Sequence, residues 1–272
     1  MLGKSGKKEE KDKKFDTDVT EQEYANRLFT RLVAKGKRFE RVDFRYCTFD
    51  ASYLRDCVFD SCDFTGCRFV SCMLQGSSFS GCKFDYATFE RTLVDIDVLD
   101  NNAPAFENLK LRFARTLRMN FQQIGDSESV NKAIQFELQA IQTHLHKSWA
   151  CNEQYYRRKY KGMARVGAYF RWLKFRFLDV LWGNGESTAK LIRSAFLLVG
   201  VVSLIDVWHM RDPMRLSSYS DAFCCAPQLL LGTADSTNST DYSKGYLAFL
   251  VFFRLVAMAL FLSVIIKRFN RR

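Results

Sequence analysis

The sequence predicts a mixed fold: a repetitive β segment, an α-helical connector, and two transmembrane α-helices with a short re-entrant helix between them. Three observations predict it. A large apolar residue recurs at every fifth position from Phe39 to Val94; after Pro104 the apolar spacing becomes helical; and two long apolar stretches, Ala189–Trp208 and Tyr246–Ile266, close the chain. Taken in order, these divide it into a disordered basic tail with an N-terminal cap (1–36), the repeat (37–99), a helical hairpin (100–160), a basic-aromatic helix (161–186) and the two-span segment (187–272). Residues 1–14 are rich in lysine and glutamate with no apolar run, so they read as a disordered tail and not as a cleavable leader.

The repeat is centred on Phe39, Phe44, Phe49, Leu54, Phe59, Phe64, Phe69, Leu74, Phe79, Phe84, Phe89 and Val94. Two residues before most centres stands a small side chain: Cys47, Ser52, Cys57, Cys62, Cys67, Cys72, Ser77, Cys82 and Ala87. Neither the 3.6 period of a helix nor the 2.0 period of a strand produces a five-residue rhythm, so internal repetition is the description that fits. The pattern resembles the pentapeptide-repeat family. That resemblance implies a right-handed quadrilateral β-helix, here of about three coils, with the large residue on the coil axis and the small one beside it.

The resemblance also explains the cysteines. Of the nine in the chain, six hold the small inward position, where Cys behaves as a small hydrophobe. Successive thiols turn onto different faces of the coil and do not converge on a metal. Cys47 with Cys67, and Cys62 with Cys82, stack one coil apart, but a reducing cytosol disfavours their pairing. Some members of the family mimic DNA through acidic surfaces. Acidic and basic side chains balance over residues 37–93, so a stacked scaffold or protein-contact surface is expected instead, with no direct nucleic-acid binding.

In the connector, Leu109, Phe113, Leu117 and Phe121 share one helical face, which Gly125-Asp126 ends. Ser127 or Ser129 is expected to cap a second helix carrying Ala133, Phe136, Ala140 and His144. The run Arg115-Thr-Leu-Arg-Met-Asn-Phe-Gln-Gln-Ile-Gly-Asp126, with Ala133 and Glu137, resembles the helical hairpin that follows pentapeptide repeats in some bacterial membrane proteins. His144 and His146 diverge on a helix and make no i,i+4 metal pair. Within Met163–Trp182, Val166, Phe170, Leu173, Phe177 and Leu181 share a face that Arg165, Arg171, Lys174 and Asp179 mostly oppose. Such a helix suits either a membrane surface or a seat on the soluble domain.

Tyr246–Ile266 carries a single charge, Arg254. As a helix it would be about 31 Å long at ~1.5 Å per residue, matching a ~30 Å hydrocarbon core. Ala189–Trp208 is weaker, with Lys190, Arg193 and Asp206 around a clean core at Ala195–Ile205. The net charge of +11 is concentrated before the first stretch, at Arg157, Arg158, Lys159, Lys161, Arg165, Arg171, Lys174 and Arg176, and after the second, at Lys267, Arg268, Arg271 and Arg272. This bias places both termini in the cytoplasm and makes an anionic lipid leaflet the expected partner of the basic excess. Arg254 would lie about 12 Å deep at ~1.5 Å per residue, at a cost of about 2.5–3.5 kcal/mol on insertion scales. Asp206 is its expected partner, with a structural or a pathway role.

Between the stretches, Tyr219–Leu231 reads as a short helix interrupted by Pro227, leading into Leu230-Leu-Gly-Thr-Ala-Asp235. The order of span, short helix, glycine-containing turn and span resembles the two-transmembrane potassium-channel-like family, whose filter carbonyls replace the ion's hydration shell. Aligned by order, Gly232 matches the first filter glycine, Thr233 the tyrosine, Ala234 the second glycine and Asp235 the acidic residue after it. Leu230 and Leu231 stand where Thr-Val belongs, and Ala234 tolerates φ > 0 poorly, so potassium selectivity is not expected. The resemblance implies a homo-oligomer, a tetramer, because two spans do not enclose a path.

Catalytic signatures are sparse. Ser187-Thr-Ala-Lys190 fits SxxK, but it stands at the start of a span, where serine is a natural helix cap. No enzyme activity, cofactor or metal is expected. The expected function is a pore or channel-like protein of the bacterial inner membrane, controlled by its cytosolic repeat. A leak through so eroded a filter would depolarise the membrane, as suits a toxic effector of abortive infection in anti-phage defence of the retron type. The alternatives are an ordinary regulated ion channel and a membrane-anchored protein-binding scaffold without conductance.

Overall fold

A large side chain at every fifth residue is accommodated by turning the backbone through a corner once per repeat. In the computed structural model, which describes residues 6–151, 153–210, 213–231 and 243–269, every fifth residue from Glu21 to Arg91 has a positive φ, between 47° and 71°. Most of these corners are not glycine. Arg31, Arg41, Tyr46 and Ala51 hold a left-handed conformation that costs an L-residue roughly 1–2 kcal/mol. The interior must over-determine that geometry. The chain falls into two units, Met1–Tyr169 and Phe170–Arg272, each taken by itself below.

The first unit opens with nine short parallel strands: β1 (Lys8–Lys11), β2 (Val19–Thr20), β3 (Arg27–Thr30), β4 (Arg38–Glu40), β5 (Thr48–Asp50), β6 (Val58–Asp60), β7 (Arg68–Val70), β8 (Ser78–Ser80) and β9 (Thr88–Glu90). Odd strands pair in the order β1-β3-β5-β7-β9 and even strands in the order β2-β4-β6-β8. Two ladders of isolated bridges, Val33↔Tyr53↔Met73↔Leu93 and Glu23↔Asp43↔Asp63↔Lys83, form the remaining two faces. Together they make a four-faced parallel β-solenoid of about four coils.

Inside, the repeat centres stack directly on one another. Phe29, Phe49, Phe69 and Phe89 form one column with ring centroids 5.3, 5.0 and 4.9 Å apart. Tyr24, Phe44, Phe64 and Phe84 form a second, at 5.7, 5.3 and 5.1 Å. Phe39, Phe59 and Phe79 form a third. These distances approach the ~4.8 Å separation of paired strands, so backbone ladder and ring column reinforce one register. Rings in adjacent columns meet edge-on, as Phe59 meets Phe64 at 77°.

The solenoid begins earlier than the five-residue rhythm suggests. Residues 8–11, expected in a disordered tail, form β1, and the expected three coils become about four. Two local exceptions conceal the first coil. Lys14 bridges Val33, an offset of nineteen, whereas Val19 pairs with Phe39, an offset of twenty, so one residue is missing between Phe15 and Val19. One coil later the large and small positions are exchanged: Leu32 and Ala34 are both buried, Ala34 on the axis and Leu32 beside it. The N-terminal end is closed by charge. Lys13 lies 4.5 Å from the Tyr24 ring and 5.0 Å from that of Phe15, and Glu10 is paired with both Lys13 and Arg27.

The other end is closed by helices. After α1 (Val98–Asn101), α2 (Glu107–Ile124) lays Leu109, Phe113, Leu117 and Phe121 over the last coil, with Phe113 5.6 Å from Phe84. Side chains of α2 replace the missing next strand. The Asn120 Oδ1 accepts the Thr92 N–H at 2.7 Å, and its Nδ2 donates to the Thr92 carbonyl at 2.7 Å. Thr116 accepts from the Phe89 N–H and Gln123 from the Arg91 N–H. Gly125, at φ 79°, ends α2. The cap of α3 (Ser127–Ala150) is Asp126, not Ser127 or Ser129: its carboxylate accepts the Ser129 N–H at 3.1 Å. Arg115 and Arg118 of α2 both pair with Glu137 of α3. A short α4 (Gln154–Lys159) follows.

α5 (Met163–Trp182) crosses from one unit into the other. The second unit continues with a 3₁₀ turn (Gly183–Gly185), α6 (Thr188–Met210), α7 (Leu216–Leu231) and α8 (Lys244–Phe269).

Truncating a ring in the middle of a column tests this core. Phe64→Ala should cost about 3–5 kcal/mol, read as a lowered denaturation midpoint. Because each coil touches only its neighbours, hydrogen exchange should quicken in the strands on both sides of Phe64. An unchanged midpoint would show that the columns do not carry the solenoid's stability.

Candidate functional site

The helices of the second unit carry the residues singled out for membrane function. α6 and α8 contain segments, Thr188–Trp208 and Lys244–Ser263, that are long and apolar enough to cross a membrane, with mean hydropathies of 1.9 and 2.2. Their large apolar side chains face outward: Phe196, Leu197, Leu204, Phe252, Leu255 and Phe261 are all exposed. A soluble monomer rarely leaves so extended an apolar surface in water, so this surface calls for lipid or protein around it.

α7 is seated against both of these helices. Ala222 and Ala226 are fully buried, and Ala226 joins Val202 of α6 and Leu250 of α8 in a small apolar core flanked by Leu198, Val199 and Tyr246. Small side chains on α7 let it approach closely, and the Ser203 hydroxyl donates to the Val199 carbonyl at 2.8 Å with the Ala222 carbonyl at 3.5 Å. Pro227 stands inside α7, where it removes one backbone donor. Asp206 is buried on α6 near Tyr246, and Arg254 is half-buried on α8. Leu230 and Leu231 occupy the last turn of α7. Gly232, Thr233, Ala234 and Asp235, the remainder of the filter-like run, lie outside the described residues.

The entry to α6 is an elbow built by glycine. Gly183 has φ 64°, and a Cβ there would meet the Ser187 Cβ at 2.8 Å. Beyond the turn, Lys190 pairs with Asp179 at 2.8 Å, Arg193 donates to the Val180 carbonyl and Ser194 to the Leu181 carbonyl. α6 therefore caps the open carbonyls at the C-terminus of α5. The SxxK-like pair is absorbed in this elbow: the Ser187 hydroxyl accepts the Lys190 N–H at 3.2 Å as a helix cap, and the Lys190 ammonium is turned to Asp179. Along α5, the Val166, Phe170, Leu173 and Phe177 side chains of the apolar face legible in the sequence are all exposed.

In the first unit the inward cysteines do more than fill space. Each thiol donates to a backbone carbonyl of the preceding coil: Cys47 to Tyr24, Cys57 to Ala34, Cys62 to Phe39, Cys67 to Phe44, Cys72 to Phe49 and Cys82 to Phe59. Ser77 does the same to Leu54 at 2.6 Å, and Asn102, one coil beyond Cys82, to Phe79. Sequence reasoning assigned these positions by size alone; the recurrence of Cys and Ser in place of Ala is the signal that a donor is wanted. Burial pushes the Cys47 and Cys72 thiols up to about 11 and raises Cys57 and Cys67 as well. His144 is turned to the Tyr156 hydroxyl at 3.2 Å. Among the described residues no group of three or more His, Cys, Asp or Glu is placed to hold a metal.

Comparison with known proteins supports the reading of the solenoid. Residues 38–76 and 62–92 match the family model for pentapeptide repeats, in eight copies, so this part of the chain is a pentapeptide-repeat solenoid. Two trypsin-treated structures of QnrB1, described as a plasmid-mediated fluoroquinolone resistance protein, are similar to it. One is 18% identical, over 32% of this chain and 62% of that chain, with a TM-score of 0.19. The other is 25% identical, over 33% of this chain and 54% of that chain, with a TM-score of 0.12. The chain thus spans less than two thirds of either of those proteins. No curated protein matches the chain.

The thiol ladder predicts a sharp division in reactivity. In the folded protein at pH 8, an alkylating reagent should label the exposed Cys224 and leave the six solenoid cysteines untouched until denaturant is added. The folded pKa values of Cys47, Cys57, Cys67 and Cys72 are raised by burial above the ~8.5 of an unfolded cysteine, so at these four the folded state holds its protons longer. Stability should therefore be full below about pH 8.5 and fall as pH rises toward about 11. Labelling of Cys67 in the native protein, or a melting temperature flat across that range, would contradict the buried ladder.

Proposed function

We propose that the chain is an oligomeric, pore-forming protein of the bacterial inner membrane, anchored by α6 and α8 and controlled by its repeat unit. The observation that carries this reading is the seat of α7. A short helix that follows one apolar span, packs through alanines on both spans and leads toward a glycine-containing run is the arrangement a pore loop requires. A single chain encloses no path with two spans, so the pore is an assembly of identical copies, with cyclic symmetry and most simply a tetramer. The outward apolar faces of α6 and α8 supply the lipid-facing and subunit-facing surface such an assembly needs. With both termini on the basic, cytoplasmic side, released control would dissipate the membrane potential, which suits a toxic effector in anti-phage defence.

The exposed apolar face of α5 supports a companion role. Its exposed Phe170, Leu173 and Phe177, set against Arg171 and Lys174 and tied at an elbow to the first turns of α6, suit a helix lying in the headgroup layer of the inner leaflet.

Inducing the chain in cells while following a potential-sensitive dye and viability tests the pore. Rapid depolarisation is expected. Ala226→Leu, which overfills the contact between α7 and the spans, should abolish it at an unchanged level of membrane-inserted protein. A wild-type chain that inserts without depolarising the membrane would leave the anchored-scaffold alternative.

The α5 role is tested separately with a synthetic Met163–Trp182 peptide. It should become helical on anionic vesicles and bind them in preference to zwitterionic ones. At about 1 kcal/mol per cation near the surface, removing Arg171 and Lys174 together should weaken binding roughly thirtyfold. Equal binding to neutral vesicles would remove the electrostatic part of the reading.

A further inference from the structure

The first unit has a cavity that none of these roles uses. It lies where the last coil meets the turn between α2 and α3 and has a volume of about 610 Å³. Leu93, Ile96 and Ile124 give it an apolar floor, and Asp95, Asp97, Asp126 and Glu128 an acidic wall. Two of these acids serve the fold: Asp95 accepts the Gly76 N–H at 2.7 Å, and Asp126 caps α3. Asp97 and Glu128 remain at the rim. Lys132 is the one basic residue of the lining; it makes its shorter pair with Asp100, at 2.8 Å, and stands 3.8 Å from Asp97, so the four carboxylates keep the wall net acidic. In a chain of net charge +11, a local acidic wall is not a by-product of composition.

The apolar floor does not stop at the cavity. Leu93 is the last rung of a ladder that starts at Lys14 and whose next four rungs, Val33, Tyr53, Met73 and Leu93, are apolar and climb the solenoid for about 14 Å at ~4.8 Å per coil. The opposing outward ladder reads Glu23, Asp43, Asp63 and Lys83. One outer face of the solenoid is thus an apolar ribbon that runs into an acidic-walled hollow, and the face opposite is charged.

We propose that this cavity and ribbon dock a basic peptide segment carrying large apolar residues, contributed by a partner protein. The ribbon and floor receive the apolar side chains, while Asp97 and Glu128 receive lysine or arginine and set orientation. The sign of the rim selects the partner's class: phosphate groups of a lipid headgroup or a nucleic acid would be repelled, and a neutral apolar ligand would leave the carboxylates unused. This inference is independent of whether the second unit conducts ions.

The test uses the full chain in non-ionic detergent micelles and a fluorescein-labelled free peptide of the sequence Ile265–Arg272, chosen because it has this chemistry. Fluorescence anisotropy should report saturable binding that weakens as salt rises. Asp97→Asn combined with Glu128→Gln should weaken it at least about tenfold, and a peptide with serine in place of Phe269 should also bind less. Should the double variant melt at a lower temperature, Met73→Ser decides instead, since it alters the ribbon away from the helical junction. No saturable binding at millimolar peptide overturns the proposal. So does binding that survives both sets of substitutions unchanged, which would place the peptide on the micelle or elsewhere on the protein.

Discussion

In a parallel β-solenoid the backbone N–H and C=O groups point along the axis, each coil satisfying the one before it. The interior of the stack is therefore self-sufficient and its two ends are not. Everything distinctive about the first unit answers that constraint. Ring columns and thiol-to-carbonyl bonds hold each coil in register with the next, so that corners with positive φ at arginine, tyrosine and alanine can be tolerated. At the N-terminal end, Lys13 and Arg27 with Glu10 place charge where another coil would otherwise add. At the other end the hairpin supplies side-chain amides and hydroxyls in place of a strand.

The repeat was legible from Phe39 onward because its large and small positions are regular there, and the family match covers nearly the same residues. The first coil was not legible, for two physical reasons. Folding tolerates a one-residue deletion at a corner, which leaves the bridge from Lys14 to Val33 intact while destroying the sequence period. It also tolerates exchange of Leu32 and Ala34, since the core responds to summed volume and not to which position supplies it. The cap was partly legible. Thr116, Asn120 and Gln123 stand at i, i+4 and i+7, one polar stripe beside the apolar stripe of Phe113, Leu117 and Phe121. Read as a solvated edge, such a stripe is unremarked; beneath a solenoid it becomes the edge that accepts backbone N–H groups.

The second unit shows a different limit. Apolar length and charge placement marked α6 and α8 as membrane-spanning candidates, and the amphipathic face of α5 was readable from its spacing. What the sequence did not disclose was the seat of α7, because alanines at 222 and 226 are unremarkable until they are found fully buried between two other helices. The same holds for the elbow: Ser187 and Lys190 invite a catalytic reading by spacing, and only the Lys190–Asp179 pair shows the lysine turned to the fold. A motif is defined by intervals along the chain, whereas chemistry depends on where the side chains point.

The cap also explains why asparagine, and no other residue of its size, closes this stack. Thr92 presents both a buried donor and a buried acceptor, and Asn120 meets both at 2.7 Å. A carboxylate at this position would accept from the N–H but repel the carbonyl, and a leucine would leave both groups without partners, at about 1–3 kcal/mol each. Asn102 repeats the solution on the opposite face, accepting the Cys82 N–H and donating to the Phe79 carbonyl. The second of those bonds is the one that Cys62 and Cys82 make in the two coils above. An amide at the end of the ladder thus does the work of the next thiol and the next peptide together, and the solenoid ends where a side chain can first do both.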